Sequence, residues 1–338
     1  MKLLQCHDKQ IWDDYVLENS GHPLQLWGWG EVKSVHGWIA SRLLLIDDSE
    51  KVIGAVQLLV RRLPWPFKSL SYVPRGPVVD EKYRGDLLIL LTEYAKRVHH
   101  SVAITIEPDG IQFEVPKGWK QSNNHILPTK TIILDLTKPD SELLNDMAKK
   151  TRQYIRKSAS EAMTIGRVRS KSDLDKCLEI YGQTAKRAKF DLHDKQYYYD
   201  VFNQLSDNSQ LFAAYVDDQP IAFLWLVISA ETAFELYGGM NDLGQQLRSN
   251  YALKWHAIRK CKEWGLSRYD FGGLLEGGVT TFKMGWAESE TNLVGTFDRP
   301  LSVKYATWNR GFSVAKTTTR KLKKVFKRKS KNTIMPTN

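Results

Sequence analysis

The sequence predicts a mixed α/β protein built from two copies of one unit. Three observations predict it: a hairpin pattern that occurs twice, a helix at a matching distance after each hairpin, and a short strand that closes each copy. At 338 residues, with 42% hydrophobic and 11% aromatic residues, the chain is long enough for two cores and too apolar to stay disordered.

Residues 43–60 read LLLIDDSEKVIGAVQLLV and residues 211–228 read LFAAYVDDQPIAFLWLVI. Each has two β-rich apolar runs around an acidic turn, which predicts a hairpin. After the first comes SLSYVPRGPVVD, a strand running into a Gly/Pro loop. A helix follows with Leu88, Leu91, Tyr94, Ala95 and Val98 on one face, then the strand VAITIEPDG. After the second, AFELYGGM enters a glycine turn. A helix from Asn250 to Trp264 carries Leu253, Ala257, Ile258 and Cys261 at helical spacing, stops at Gly265, and leads to the strand RYDFGG. Asp47 to Glu107 spans 60 residues and Asp217 to Asp270 spans 53, as a duplicated unit requires.

Between the copies, TKPDSELLNDMAKKTRQYIRKSASEA predicts one helix with Thr137 or Asp140 as N-cap. Leu144, Met147, Thr151, Tyr154 and Ile155 face inward. Lys149, Lys150, Arg152, Arg156 and Lys157 crowd the other side, as a solvated face or a phosphate-binding one. The expected domains are 1–140, completed by the segment 300–325, and 141–299, with a basic tail over 320–338.

The net charge of +11 is concentrated at one end. Of 49 Lys and Arg, eleven lie between Leu301 and Asn338, where no acid occurs; the 38 that remain equal the 38 Asp and Glu of the whole chain. The stretch RKLKKVFKRKSK (320–331) suits an anionic membrane surface or an RNA backbone, or is a solvated terminus. The longest apolar run, Ile221 to Ala230, is about half a membrane span. The N-terminus meets charge too early for a signal peptide. Cys6, Cys177 and Cys261 are odd in number and far apart, which disfavours a disulfide framework or zinc site and makes a reducing cytoplasm the default.

The stretch FGGLLEGGVTTFKMGW (271–286) looks at first like a phosphate cradle. A P-loop needs Lys and Ser/Thr directly after its last glycine. Gly278 and Val279 stand there instead, and no G-x-G-x-x-G occurs, so mononucleotide and dinucleotide loops are both excluded. The order of hairpin, helix and strand is similar to the acyltransferase fold of the GNAT type. The R/Q-x-x-G-x-G/A loop that holds pyrophosphate in that fold is absent from both halves, which disfavours an acyl-CoA donor.

In order along the chain, QLWGWGEVKSVHGW, SYVPRGPVVD, KKTRQYIRKS, TAKR, ELYGGMND, YALKWHAI, YDFGG and TFKMGW resemble the FemABX family of peptidoglycan interpeptide-bridge aminoacyltransferases. The resemblance covers roughly residues 22–298 and fits the short form without a helical arm. It implies two GNAT-like domains arising by duplication. It also implies transfer of an amino acid from aminoacyl-tRNA to an amine of a precursor stem peptide, on lipid II or UDP-MurNAc-pentapeptide. The ester donor is already activated, so no cofactor or metal is expected. The tail would lie on the inner leaflet of the plasma membrane. Rival readings are an N-acyltransferase with another activated donor, and a non-catalytic RNA- or membrane-binding protein.

The resemblance also implies the site. Lys283 would place a positive charge beside the developing oxyanion or the tRNA end, and Phe282 would stack on the terminal adenine. Glu107, where the family commonly has Asp, would orient the attacking amine or accept its proton. Lys33 would contact the precursor diphosphate. Arg75 could read a phosphate or carboxylate, or hold its loop. Tyr198 and Tyr237 would line the substrate channel or the core, and Arg187 is a further polar candidate. The family arginine expected before the Tyr pair is replaced here by His193, Asp194 and Lys195, so Lys195 would take the phosphate or the precursor would be bound differently.

Overall fold

A computed structural model describes residues 1–274 and 278–311. The strands in chain order are β1 (Lys2–Gln5), β2 (Ile39–Ile46), β3 (Val52–Arg62), β4 (Ser69–Pro74), β5 (Val78–Val79), β6 (Ser101–Glu107), β7 (Lys120–Ser122) and β8 (Lys130–Thr131). Then come β9 (Ile133–Asp135), β10 (Thr164–Arg167), β11 (Ser209–Val216), β12 (Gln219–Ile228), β13 (Thr232–Met240), β14 (Arg268–Asp270), β15 (Thr291–Asn292) and β16 (Thr296–Pro300). The helices are α1 (Lys9–Glu18), α2 (Trp27–Ser34), α3 (Glu81–Arg97), α4 (Asp140–Asp146), α5 (Lys149–Ala159), α6 (Lys171–Ala188), α7 (Lys195–Gln204), α8 (Asp242–Gln246), α9 (Ser249–Glu263) and α10 (Gly278–Met284).

Two mixed sheets repeat one topology. In the first, β2, β3 and β4 are successively antiparallel, and β4 pairs in parallel with β6 after the α3 crossover. In the second, β11, β12 and β13 are successively antiparallel, and β13 pairs in parallel with β14 after α9. The duplication read from the two hairpins is thus a duplication of fold. The second hairpin turns through Asp217 and Asp218 at φ 46° and 58°, the geometry of a two-residue loop that matches strand twist. The first turns over a longer loop, with Asp47 Oδ1 accepting from the backbone N–H of Ser49 and Lys51.

Each sheet takes in a strand from the opposite half. β16 adds antiparallel to β6 of the first sheet, and β9 adds antiparallel to β14 of the second. Residues 133–135, which the boundary at 140 assigns to the first domain, therefore hydrogen-bond in the second sheet. After β16 the helical residues 305–311 bury Tyr305 against Val102 and Ala103 of β6. The tail 320–338 lies outside the described residues.

The helix expected between the copies is two helices. Met147 takes an extended ψ of 150° and separates α4 from α5. Neither Thr137 nor Asp140 caps the start; Pro139 occupies that place and Thr137 bonds Asp135. Arg152 turns back and donates to the carbonyls of Leu144, Asn145 and Met147, so it seals the break and leaves the basic face. Val98, placed on the buried face of α3 by its spacing, lies just past the helix end and is exposed.

Candidate active site

One strand positions two clusters. Along β12 and β13, Trp225 pairs with Tyr237 and Leu226 with Glu235, so Leu236 is an extra residue in the ladder. Such a bulge breaks the alternation of faces. Phe234, Leu236 and Tyr237 consequently join the core packed under α6 and α7, while Glu235 faces α9 on the other side of the sheet.

On the first side, α2 lies against α7 and brings Lys33 to Tyr197. Lys33 Nζ donates to Tyr197 Oη at 2.8 Å and stands 4.4 Å from the centre of the Trp29 ring. Burial, with a smaller contribution from Arg61, pulls its pKa down to about 8. Tyr198 and Tyr237 are in the same cluster, their rings edge to face at 5.2 Å, and both hydroxyls are held neutral by burial. His193 stacks on Tyr197 at 4.0 Å, directly over the lysine's partner. Lys195 is turned elsewhere, in a 2.7 Å ion pair with Asp175, so of the three residues standing where the family arginine was expected, His193 lies beside the partner of Lys33. Arg187 donates to the carbonyl of Met240 at 2.9 Å and pairs with Asp242, at the end of β13 and outside this cluster.

On the second side, Lys283 sits on α10 with its ammonium turned inward. It donates to the carbonyls of Phe271 and, at 2.9 Å, Gly273. The lysine grips the start of the glycine stretch through these two carbonyls. Among the described residues, two of its three ammonium donors have partners. Burial lowers the Lys283 pKa, while Glu235 and Asp270 oppose the shift. Phe282 packs edge to face on Tyr251 at 5.0 Å and on Trp286 at 5.8 Å. It is partly buried and packs against the core of the second sheet.

Beneath Lys283 lies a buried pair that the sequence did not announce. Lys254 donates to Glu235, which also accepts from Tyr269 Oη at 2.8 Å. The Lys254 ammonium stands 4.0 Å from the centre of the Phe271 ring. Burial brings its pKa to about 8 against the pull of Glu235, with Lys283 adding to the fall.

A polar seam joins the two halves. Arg268 holds both oxygens of Asp109 and reaches Asp270 at 3.4 Å, and Asp270 accepts from Thr131 Oγ1 and the Gly272 N–H. Burial raises the Asp109 pKa, but His22 and Arg268 outweigh it and leave it at about 2. His22 comes within 4.8 Å of both carboxylates, and its burial lowers its pKa to about 3. Two guanidinium groups, Arg268 and Arg75, already supply positive charge beside these acids. Arg75 is buried at φ 49° and donates to the carbonyl of Pro128 at 3.1 Å. That carbonyl contact favours the loop-holding reading of Arg75.

Glu107 is also part of this seam and is fully occupied. Its oxygens accept from Tyr72 Oη (2.6 Å), the N–H groups of Ile126 (2.6 Å) and Leu127 (3.0 Å), and Thr296 Oγ1 (2.8 Å). A carboxylate held by four donors anchors the segment 126–128. These four contacts favour an anchoring role for Glu107 over the expected proton acceptor. The segment it anchors meets the loop that Lys283 holds: a Cβ on Gly273 would lie 2.4 Å from Pro128 Cγ.

Known proteins agree with this architecture. The acetyltransferase (GNAT) domain model matches residues 145–284. The crystal structure of FemX aligns with a TM-score of 0.77 at 21% identity, over 89% of this chain and 97% of that one. The C-terminal domain of a putative lysylphosphatidylglycerol synthetase from Agrobacterium fabrum aligns at 0.58 with 10% identity, over 91% and 94%. Lipid II:glycine glycyltransferase of Staphylococcus aureus strain MRSA252 is 30% identical over 227 residues, 61% of this chain and 53% of the relative. The resemblance to FemABX proteins read from the motifs agrees with these matches. It spans about half the length of the curated relatives it matches. Between α6 and α7 only residues 189–194 intervene. Among the described residues, no helix is long and apolar enough to cross a membrane.

Proposed function

We propose that this protein is an aminoacyltransferase that moves an aminoacyl group from aminoacyl-tRNA to an amine of a peptidoglycan precursor stem peptide. One observation carries the reading: Lys283 is held inward by the Phe271 and Gly273 carbonyls, its two hydrogen-bond partners among the described residues. The acceptor nitrogen attacks the ester carbonyl carbon, a C–N bond forms, and negative charge moves to the carbonyl oxygen. Collapse breaks the ester C–O bond, and a proton from the attacking nitrogen passes to the leaving oxygen, which departs as the tRNA hydroxyl. A fixed ammonium aimed at that oxygen stabilises the transition state more than the ground state. Lys33, in its aromatic cage, is suited to a phosphate of the precursor. Tyr198 and Tyr237 wall the same cluster. The S. aureus relatives are named for glycine transfer to lipid II, which supports a lipid-linked acceptor.

The test incubates purified protein with tRNAs charged with labelled amino acids and with lipid-linked and nucleotide-linked precursors in parallel. Mass spectrometry of each precursor should show one added residue. No gain on either, with release of free coenzyme A from acyl-CoA donors instead, would replace the reading with a GNAT-type N-acyltransfer.

A further inference from the structure

We propose that the face carrying Trp65 and Val303 docks the protein on an anionic lipid bilayer. Trp65, in the turn after β3, is 93% exposed, and Val303, after β16, is 96% exposed. The two tips are tied side by side, because Lys304 Nζ donates to the carbonyl of Pro66 at 3.1 Å. Ile39 and Val98, both exposed, line a cleft of about 570 Å³ beside Trp65. A smaller cleft of about 230 Å³ lies on the other side of Phe67 and Lys68.

The lining charges decide the occupant. Arg62, Lys68, Lys96 and Lys304 line the two clefts, and no Asp or Glu lines either. Apolar tips ringed only by cations complement a surface with an apolar interior and anionic headgroups. Trp suits that depth, since its ring is amphipathic. A protein partner would be expected to meet a face depleted in lysine. A single-stranded nucleic acid would use Trp65 for stacking but has no use for Val303, Ile39 and Val98. The docking stands apart from the proposed reaction and is tested without it.

The test is co-sedimentation of the full chain with phosphatidylcholine vesicles with and without phosphatidylglycerol. Binding should require phosphatidylglycerol and weaken with salt. Trp65→Ala with Val303→Ala should weaken it at least tenfold by about the loss of two inserted side chains. Lys68→Gln with Lys96→Gln should weaken it about fivefold per residue. All four side chains are exposed, so an unchanged thermal transition verifies the fold. The proposal is overturned if the full chain ignores phosphatidylglycerol, or if both variants bind as the parent does. It is equally overturned if binding is lost only on removing residues 312–338, or if the variants lose tRNA binding and keep vesicle binding.

Discussion

Lys254 and Glu235 form an ion pair whose side chains are only 4% and 7% exposed, directly under the loop that Lys283 holds. Removing one member strands the other charge away from water. Lys254→Met should therefore cost about 3–5 kcal/mol of stability. The double change Lys254→Met, Glu235→Gln keeps an acceptor for Tyr269 and removes the stranded charge, so it should recover most of that loss. Chemical denaturation of both variants checks this. A single-variant cost below about 1 kcal/mol would mean that the pair is solvated.

Lys283→Met removes the ammonium proposed to meet the developing oxyanion. Turnover should fall by about two to three orders of magnitude, with the precursor KM little changed. The substitution also frees the carbonyls of Phe271 and Gly273, so near-ultraviolet circular dichroism should accompany the kinetics. A fall in KM-side binding alone would assign Lys283 to substrate capture and not to the transition state.

Glu107→Gln discriminates an anchor from a base. The amide must present an N–H₂ to one pair of donors, either Ile126 N–H with Thr296 or Leu127 N–H with Tyr72. Stability should drop by about 1–3 kcal/mol. The folded protein should keep the parent's pH–rate profile. Loss of an acidic limb from that profile would restore Glu107 as the proton acceptor.

The repeated fold was legible because hairpin turns, strand alternation and helix periodicity are local signals. Asp217 and Asp218 announce a tight turn, and Leu253, Ala257, Ile258 and Cys261 announce one face of α9. What the sequence hid depends on partners far along the chain. Arg152 reads as one more charge on a basic helix until the carbonyls of Leu144, Asn145 and Met147 come to meet it. Lys254 lies in an ordinary amphipathic pattern, and nothing local says that Glu235 will face it. That orientation follows from one extra residue, Leu236, in the β12–β13 ladder. His193 appears in sequence only as a departure from a pattern. Its stacking on Tyr197 comes from the loop between α6 and α7.

Lys33 makes the pH dependence specific. Its folded pKa is about 8 against an ordinary value of 10.5, chiefly through burial. The charged form is therefore disfavoured by folding, and between about pH 8 and 10.5 the unfolded chain binds more protons at this site. Lys33 by itself accordingly makes stability rise with pH through that window. Binding runs the other way. The ammonium that would meet a precursor phosphate is lost as pH passes 8, so the acceptor KM should rise above that pH while stability does not fall at this site. Lys33→Arg keeps its charge throughout and should flatten the KM–pH curve. KM measured from pH 6.5 to 9.5, with a neutral acceptor analogue as control, decides it. A parent curve as flat as that of the arginine variant would remove Lys33 from phosphate recognition.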